Sequence, residues 1–380
     1  MKICAIIAEF NPFHSGHKYL FETAKQMGFT HIVVVMSGNF VQRGEPAIYS
    51  KLVRAQIAIK NGADLVTEMP CVWTISRAER YADAGVFLAD SLGCVDSLIF
   101  GSECGDLQAL SEVKNSFETS EFQDSLHKYL GQGIAFAKAR ELAIKEIISY
   151  ENFSEILNKP NNILGIEYLK SIEKHSSKII PITIKREEKF ICASKIRKMV
   201  KSESKDFSHD FPFEFKIEDP PKDLLFGEKA IVSRLKIIPQ STMHLLPDIS
   251  EGLENRIFNS LKSAKNLKDL LELVKSKRYT MARIKRIILS ACLGITEEIQ
   301  SKTPPYLRIL GATNKGLEVL NRAKSTANLP FISRSSDFNN LDEFAERIFE
   351  VECNSTDFYG NFSKELKILP SEKLFKFIRQ

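Results

Sequence analysis

Cysteine is sparse and carries no pattern: Cys4, Cys71, Cys94, Cys104, Cys192, Cys292 and Cys353 are the seven in 380 residues, and no two form a C-x-x-C pair. An odd, scattered set excludes a disulfide framework and offers no zinc site, so reduced and mostly buried thiols are expected. Long apolar runs are missing too, none nearing the ~18 residues of a membrane span. Residues 1–8 are too short for a secretory h-region and hold no small-residue cleavage site, so the expected location is cytoplasmic, away from membranes. Glycine (18) and proline (14) are too few for a collagenous or low-complexity chain, and no internal repeat is visible.

What is present is ordinary globular composition, 43% hydrophobic and 27% charged, over a length that suits two domains. The net charge of +5 is unevenly placed. Residues 1–180 hold 18 Lys/Arg against 21 Asp/Glu, and the remainder 35 against 27. Between Arg256 and Ser290, ten basic residues accompany two acidic ones. Such a surface attracts polyanions; a solvated helix face without a partner is the plainer alternative.

Apolar runs of strand length at 3–8, 31–36, 64–69 and 96–100 alternate with amphipathic stretches from Gly16, at 50–61 and at 78–92. This rhythm predicts an α/β fold, a Rossmann-like domain on a parallel sheet, with ligands bound outside the carboxyl ends of the strands. A helical stretch over 107–169, one more strand at 179–184 and a short helix from Ser194 complete a first domain expected to span 1–200. Residues 201–222, charged and rich in Phe and Pro, read as a connector that packs against something. The rest of 201–380 reads as a mainly helical, basic domain with a small mixed unit at its close. The loops 9–17, 37–46 and 101–106 follow strands and are rich in Gly and polar side chains, where function usually sits.

The sharpest local signal is Asn11-Pro12-Phe13-His14-Ser15-Gly16-His17, of the form H-x-G-H, set between a strand and a helix. Two imidazoles three residues apart at a helix start face one way. Gly16 lets a ligand approach the backbone, and the first-turn N–H groups favour an anion. His14 and His17 are therefore the expected catalytic pair, donating hydrogen bonds to phosphate as charge moves onto departing pyrophosphate. No metal site is expected, because no third or fourth zinc ligand lies nearby in sequence. A purely structural pair of histidines is the alternative.

A strand followed by N-P-x-H-x-G-H resembles the nucleotidylyltransferase superfamily, whose members use the motif for attack on the α-phosphate of a nucleoside triphosphate. The run Ile191-Cys192-Ala193-Ser194-Lys195-Ile196-Arg197 falls where that superfamily carries a hydroxyl-rich turn ending in x-x-Arg. Only Ser194 keeps a hydroxyl, which leaves Ser194 and Arg197 as expected phosphate contacts. Longer runs resemble the bacterial tRNA(Met) cytidine acetate ligases over nearly the whole chain: residues 9–14, Ser37-Gly38-Asn39-Phe40-Val41-Gln42-Arg43-Gly44-Glu45-Pro46-Ala47, Gly101-Ser102-Glu103, Pro160-Asn161-Asn162-Ile163-Leu164-Gly165, and Lys277-Arg278-Tyr279-Thr280 with Arg283.

That resemblance implies ATP-dependent activation of acetate to acetyladenylate, then acetylation of N4 of the wobble cytidine in elongator tRNA(Met). ATP, Mg2+, acetate and the tRNA are the implied partners, with no protein partner. It implies an ATP-binding loop of Ile7, Ala8, Glu9, Phe10, Asn11, Pro12, Phe13, His14, Ser15, Gly16, His17, Lys18, Tyr19 and Leu20, with Gly101, Asn162 and Arg186 as further ATP contacts. The residue types agree: Gly101 bares backbone past a strand end, Asn162 can donate and accept, and Arg186 can fork a phosphate.

Arg43, with Gln42 and Glu45 around Gly38 and Gly44, is a candidate contact for phosphate or RNA, or else a loop anchor. Lys51 and Arg54 open the next helix, and Glu68 and Glu103, at strand ends, could hold magnesium or orient partners. The segment 277–286 interleaves cations with an aromatic and, read as one helix, has two basic faces. Lys277, Arg278, Tyr279, Arg283 and Arg286 are expected to meet tRNA, with a base stacked on Tyr279; the alternative keeps Tyr279 in the core. Phe10, Phe13 and Phe40 could wall off the acetate methyl. No cysteine receives a catalytic role. The rival readings are an adenylyltransferase for a small cofactor and a non-enzymatic RNA-binding protein on a nucleotidylyltransferase-like fold.

Overall fold

The apolar runs become strands: β1 (Ile3–Ala8), β2 (His31–Ser37), β3 (Phe40–Val41), β4 (Glu45–Pro46), β5 (Leu65–Met69), β6 (Ser97–Ser102), β7 (Ile180–Lys185), β8 (Leu307–Ala312), β9 (Phe331–Ile332) and β10 (Ile378–Arg379). They belong to a computed structural model describing residues 1–134, 136–147, 156–187, 189–202, 219–250, 252–374 and 377–380. The expected connector, 201–222, lies mostly outside the described residues. β1 is buried throughout: Ile3, Ala5 and Ile7 enter one hydrophobic cluster, Cys4, Ile6 and Ala8 another. A two-residue period on a strand covered on both faces requires that division.

β1 pairs in parallel with β2 and β6, β2 with β5, and β6 with β7. The path β5-β2-β1-β6-β7 therefore reverses at β1. A sheet wound this way opens a crevice at the carboxyl ends of β1 and β6, where the following segments diverge to opposite faces. Helix α1 (Ser15–Gln26) follows β1, the short hairpin β3–β4 fills the loop after β2, and α2 (Lys51–Lys60) leads on to β5.

The sheet is not confined to residues 1–200. β8 pairs antiparallel with β5, and β9 and β10 lie parallel to β8, making eight strands. One hydrophobic cluster runs from Ile3 to Ile231, Leu270, Ile284 and Ile287 of the helices Glu228–Ile237, Leu267–Val274 and Met281–Leu293. A single core thus crosses the boundary expected at residue 200. The physical reason is the edge of β5, whose amides and carbonyls need a partner that only the later residues supply.

Five charged side chains are buried where these elements meet. Lys51 Nζ lies 2.6 Å from Glu68, 2.8 Å from Glu372 and 3.4 Å from Glu352; Arg308 lies 3.4 Å from Glu68 and also pairs with Glu372. Above this cluster, Asn39 donates to Thr356 Oγ1 at 3.0 Å and the Tyr359 hydroxyl donates to Ala47 O at 2.7 Å. Helix Glu343–Tyr359 therefore bolts down the loop after β2. Glu68 is consumed here, so it faces neither magnesium nor substrate. Among the described residues no helix is long and apolar enough to cross a membrane.

Candidate active site

A cleft of about 540 Å³ opens at the carboxyl ends of β1 and β6. His14 caps α1: its Nδ1 accepts from Gly16 N at 3.0 Å, while His17 Nδ1 accepts from His14 N at 3.2 Å. With both Nδ1 atoms accepting, each neutral ring carries its proton on Nε2. The rings stack with centroids 3.8 Å apart. A Cβ on Gly16 would stand 2.9 Å from His14 Cε1, so this glycine makes room for the capping ring.

Three backbone amides at the start of α1 are engaged within the motif, where the sequence suggested they would be open to a ligand. Gly16 N is bonded to the His14 ring, and His17 N and Lys18 N both donate to His14 O. The motif therefore presents imidazole N–H groups in place of backbone ones. Burial pushes His14 down to about 4, with Arg186 and Arg197 adding repulsion; burial and His14 hold His17 well below its ordinary value. The donors of the site are uncharged, and its positive charge comes from arginine.

This burial leaves a signature in stability. The folded value of His14 lies below its unfolded value of about 6.5, so the contribution is full above that pH and is lost as pH falls toward 4. His14→Asn keeps a capping acceptor and should flatten the decline of Tm between those limits. An unchanged slope would contradict the neutral assignment.

Eight residues of 7–20 line the cleft: Ile7, Ala8, Glu9, Phe10, Asn11, His14, His17 and Leu20. Pro12, Phe13, Ser15, Gly16, Lys18 and Tyr19 stand behind them. Phe13 is fully buried, Lys18 reaches Glu22 at 3.9 Å, and Tyr19 packs on Phe190. Of the aromatics expected around acetate, only Phe10 faces the cleft; Phe40 packs on Tyr359 and Phe362 instead.

Arg197 donates to Asn11 O at 2.6 Å, and Asn11 Oδ1 accepts from Ile48 N at 2.7 Å. Buried Arg54 donates to Tyr49 O, Glu9 O, Ser37 O and Gly38 O, so it ties the loops after β1 and β2 together and touches no ligand space. Gln42 N donates to Glu9 Oε1 at 2.9 Å, and burial raises the Glu9 carboxyl despite Arg197, Arg43 and Arg54 nearby.

Gly101 and Arg186 lie together on the wall, where a Cβ on Gly101 would approach Arg186 Cγ to 3.3 Å. Ser194 lines the cleft at the start of helix Ala193–Lys201, 3.1 Å from Cys192 Sγ, and that hydrogen bond lowers the thiol below its ordinary range. Asn162 is placed differently from expectation. It is 2% exposed, its Oδ1 accepts from Cys104 N at 3.1 Å, and Asn161 lines the cleft in its stead. Glu103 accepts from Asn161 Nδ2 at 2.6 Å and from Asn162 N at 2.9 Å, setting the start of helix Pro160–Lys174.

Tyr81 and Tyr168, which sequence reasoning missed, also line the cleft. Tyr168 shares a helix face with Leu164 and Asn161, four and seven residues before it, and that spacing was the available signal.

The basic segment differs from the single helix expected. Helix Met281–Leu293 begins after Thr280, whose side chain caps it, leaving Lys277 and Arg278 exposed ahead of it. Tyr279 is buried at 7% exposure with Arg283 over its ring, so no base can stack there. Arg283 donates to Asp248 O and Ser250 Oγ, and Arg286 pairs with Asp248 at 2.9 Å. These two arginines hold a loop. Arg43 is exposed on the cleft wall. A wider depression of about 710 Å³ lies behind helices Ala78–Asp90 and Pro160–Lys174, but its Arg80 and Lys174 are paired with Glu297 and Asp83 and no motif residue reaches it.

The family model described as HIGH Nucleotidyl Transferase matches residues 1–372. The tRNA(Met) cytidine acetate ligase of Caldanaerobacter subterraneus subsp. tengcongensis is 39% identical, across 94% of this chain and 95% of that protein. Its counterpart in Clostridium acetobutylicum is 35% identical across 97% and 98%. A crystal structure of Thermotoga maritima TmcAL bound with alpha-thio ATP is 30% identical and superposes with a TM-score of 0.91, covering 100% of both chains. With agreement along almost the full length and an H-x-G-H pair at the sheet's switch point, the chain belongs to the tRNA(Met) cytidine acetate ligase family of HIGH nucleotidyl transferases.

Proposed function

We propose that this chain condenses acetate with ATP to acetyladenylate and pyrophosphate, then passes the acetyl group to N4 of the wobble cytidine of elongator tRNA(Met). The observation that carries the reading is the stacked, uncharged His14–His17 pair beside Arg186 and Arg197 in the cleft at the end of β1. The likeness to an ATP-analogue complex over the full chain supports a nucleotide there.

An acetate oxygen attacks the α-phosphorus in line, the bond to the β-phosphate oxygen breaks, and pyrophosphate leaves with the electron pair. The two Nε2–H donors strengthen their hydrogen bonds as charge moves outward, and the guanidinium groups supply fixed positive potential. Among the described residues no group of three or more His, Cys, Asp or Glu side chains is placed so that it could hold a metal ion. Glu103 is already engaged with Asn161 and Asn162, and Glu9 with Gln42. A Mg2+ ion accompanying ATP would bind chiefly through the phosphates and water, with at most one or two carboxylates of the cleft beside it, and would neutralise phosphate charge. Exposed Arg43, Lys277 and Arg278 are the sequence candidates left to meet RNA phosphates. A tRNA substrate puts the reaction in the cytoplasm.

Incubation with ATP, Mg2+, radiolabelled acetate and total tRNA, followed by nucleoside analysis, should place label in N4-acetylcytidine. Label in no nucleoside removes the reading. Exchange of labelled pyrophosphate into ATP that depends on phosphopantetheine or a mononucleotide, and not on acetate, would favour a cofactor adenylyltransferase.

A further inference from the structure

We infer that a second, smaller pocket beside the cleft receives the acceptor cytosine, and that Glu45 takes the proton from its exocyclic amine. The inference rests on the acetyl-transfer reading above. The pocket, about 260 Å³, shares two described residues with the cleft, Glu45 and Arg197. Pro46, Ile48, Leu224 and Leu271 give it apolar walls; Asp223 and the exposed Lys268 also line it, while Lys222 is buried against Asp219 and Lys285 pairs with Glu45. A splayed-out base needs apolar surface for the ring faces and a cation, here Lys268, for a flanking phosphate. The space suits one pyrimidine and is too small for a second nucleoside triphosphate.

Its walls are held independently of any ligand. Lys222 N donates to Ile48 O at 2.9 Å, and Asp219 accepts from Ser50 N at 2.7 Å and from Lys222 Nζ at 2.8 Å. At the rim, Leu225 and Phe226 are 53% and 43% exposed, an apolar ledge on which a neighbouring unpaired base can rest.

The junction carries the chemistry. Arg197 lines both spaces and reaches Asn11 O inside the histidine motif, so the pocket and that motif share one guanidinium. Lys285, from helix Met281–Leu293, pairs with Glu45 and fixes the carboxylate at the partition. A cytosine seated with its amine toward the cleft meets that carboxylate. The amine nitrogen bonds to the acetyl carbon, the bond from that carbon to the phosphate oxygen breaks, and AMP leaves with the electron pair beside Arg197. The amine proton passes to a Glu45 oxygen and then to water.

Glu45→Gln should slow single-turnover acetyl transfer from enzyme-bound acetyladenylate to tRNA(Met) by about 10²-fold or more. Because Glu45 also lines the nucleotide cleft, acetate-dependent pyrophosphate exchange is the comparison: it should fall at least about ten-fold less than transfer does, with Glu45→Asp recovering some of the transfer rate. Equal losses in both half-reactions, as a merely structural role would give, overturn the assignment. In a separate arm, tRNA(Met) carrying 5-iodocytidine at the wobble position should crosslink under ultraviolet light to peptides containing residues 45–48 or 222–225. Crosslinks confined to other peptides overturn the pocket. Loss of exchange and transfer in the unaltered protein sinks the functional reading itself, which these outcomes keep distinct.

Discussion

Acetate-dependent exchange of pyrophosphate into ATP should fall about 10²–10³-fold in His14→Asn, the range found when one preorganised donor to developing charge is removed. The fold should barely notice, because asparagine is as good a helix N-cap as any residue and supplies an acceptor for Gly16 N. His14→Ala loses the cap as well and should cost about 1 kcal/mol of stability on top of the same kinetic loss. His17→Ala removes the second Nε2–H together with the bond to His14 N. Since the rings stack and brace one another, the double replacement should cost little more than either single one. Exchange that survives His14→Asn at near wild-type rate would mean the ring only caps the helix, and the acyl-activation chemistry would need other donors.

Lys51→Met should lower stability by about 3–5 kcal/mol, the cost of leaving buried charge without its partner. Lys51 and Arg308 together face Glu68, Glu352 and Glu372, all at most 5% exposed. Burial outweighs both cations and pushes Glu68 up to about 8, whereas Lys51 and Arg308 overcome burial and hold Glu372 down to about 2. The pH consequences have opposite signs. The raised group contributes stability below its unfolded value of about 4.5 that is lost as pH rises through about 8. The depressed group contributes stability above about 4.5 that is lost as pH falls toward 2. Pairing Lys51→Met with Glu352→Gln removes one carboxylate and should restore some of the loss in urea titrations. A single variant as stable as the parent would show that the cluster adds nothing.

The central strands were legible because buried parallel strands are written as continuous apolar runs, His-Ile-Val-Val-Val-Met-Ser of β2 being the plainest. β8 was not. Its Arg308 looks like a solvent-facing residue until β5 and Glu372 supply partners far away in sequence. The histidine motif was legible in kind, but the closure of its backbone amides by the rings themselves depends on side-chain geometry that spacing does not encode. Asn161 and Asn162 are neighbours pointing to different surroundings, which only the helix start resolves. The basic segment misled for an electrostatic reason: Asp248, which engages Arg283 and Arg286, lies 35 and 38 residues upstream. Charge counted along a sequence looks free when its partner is distant.

The bolt across the loop after β2 sets an order of events during translation. The histidines leave the ribosome long before Arg308, Glu352, Thr356 and Glu372, which emerge hundreds of residues afterwards. Until then the nascent chain carries Lys51 and Glu68 beside an uncovered β5 and a loop with nothing beneath it. Catalytic competence is therefore acquired late, and a stalled or truncated polypeptide would display the nucleotide motif while remaining inert.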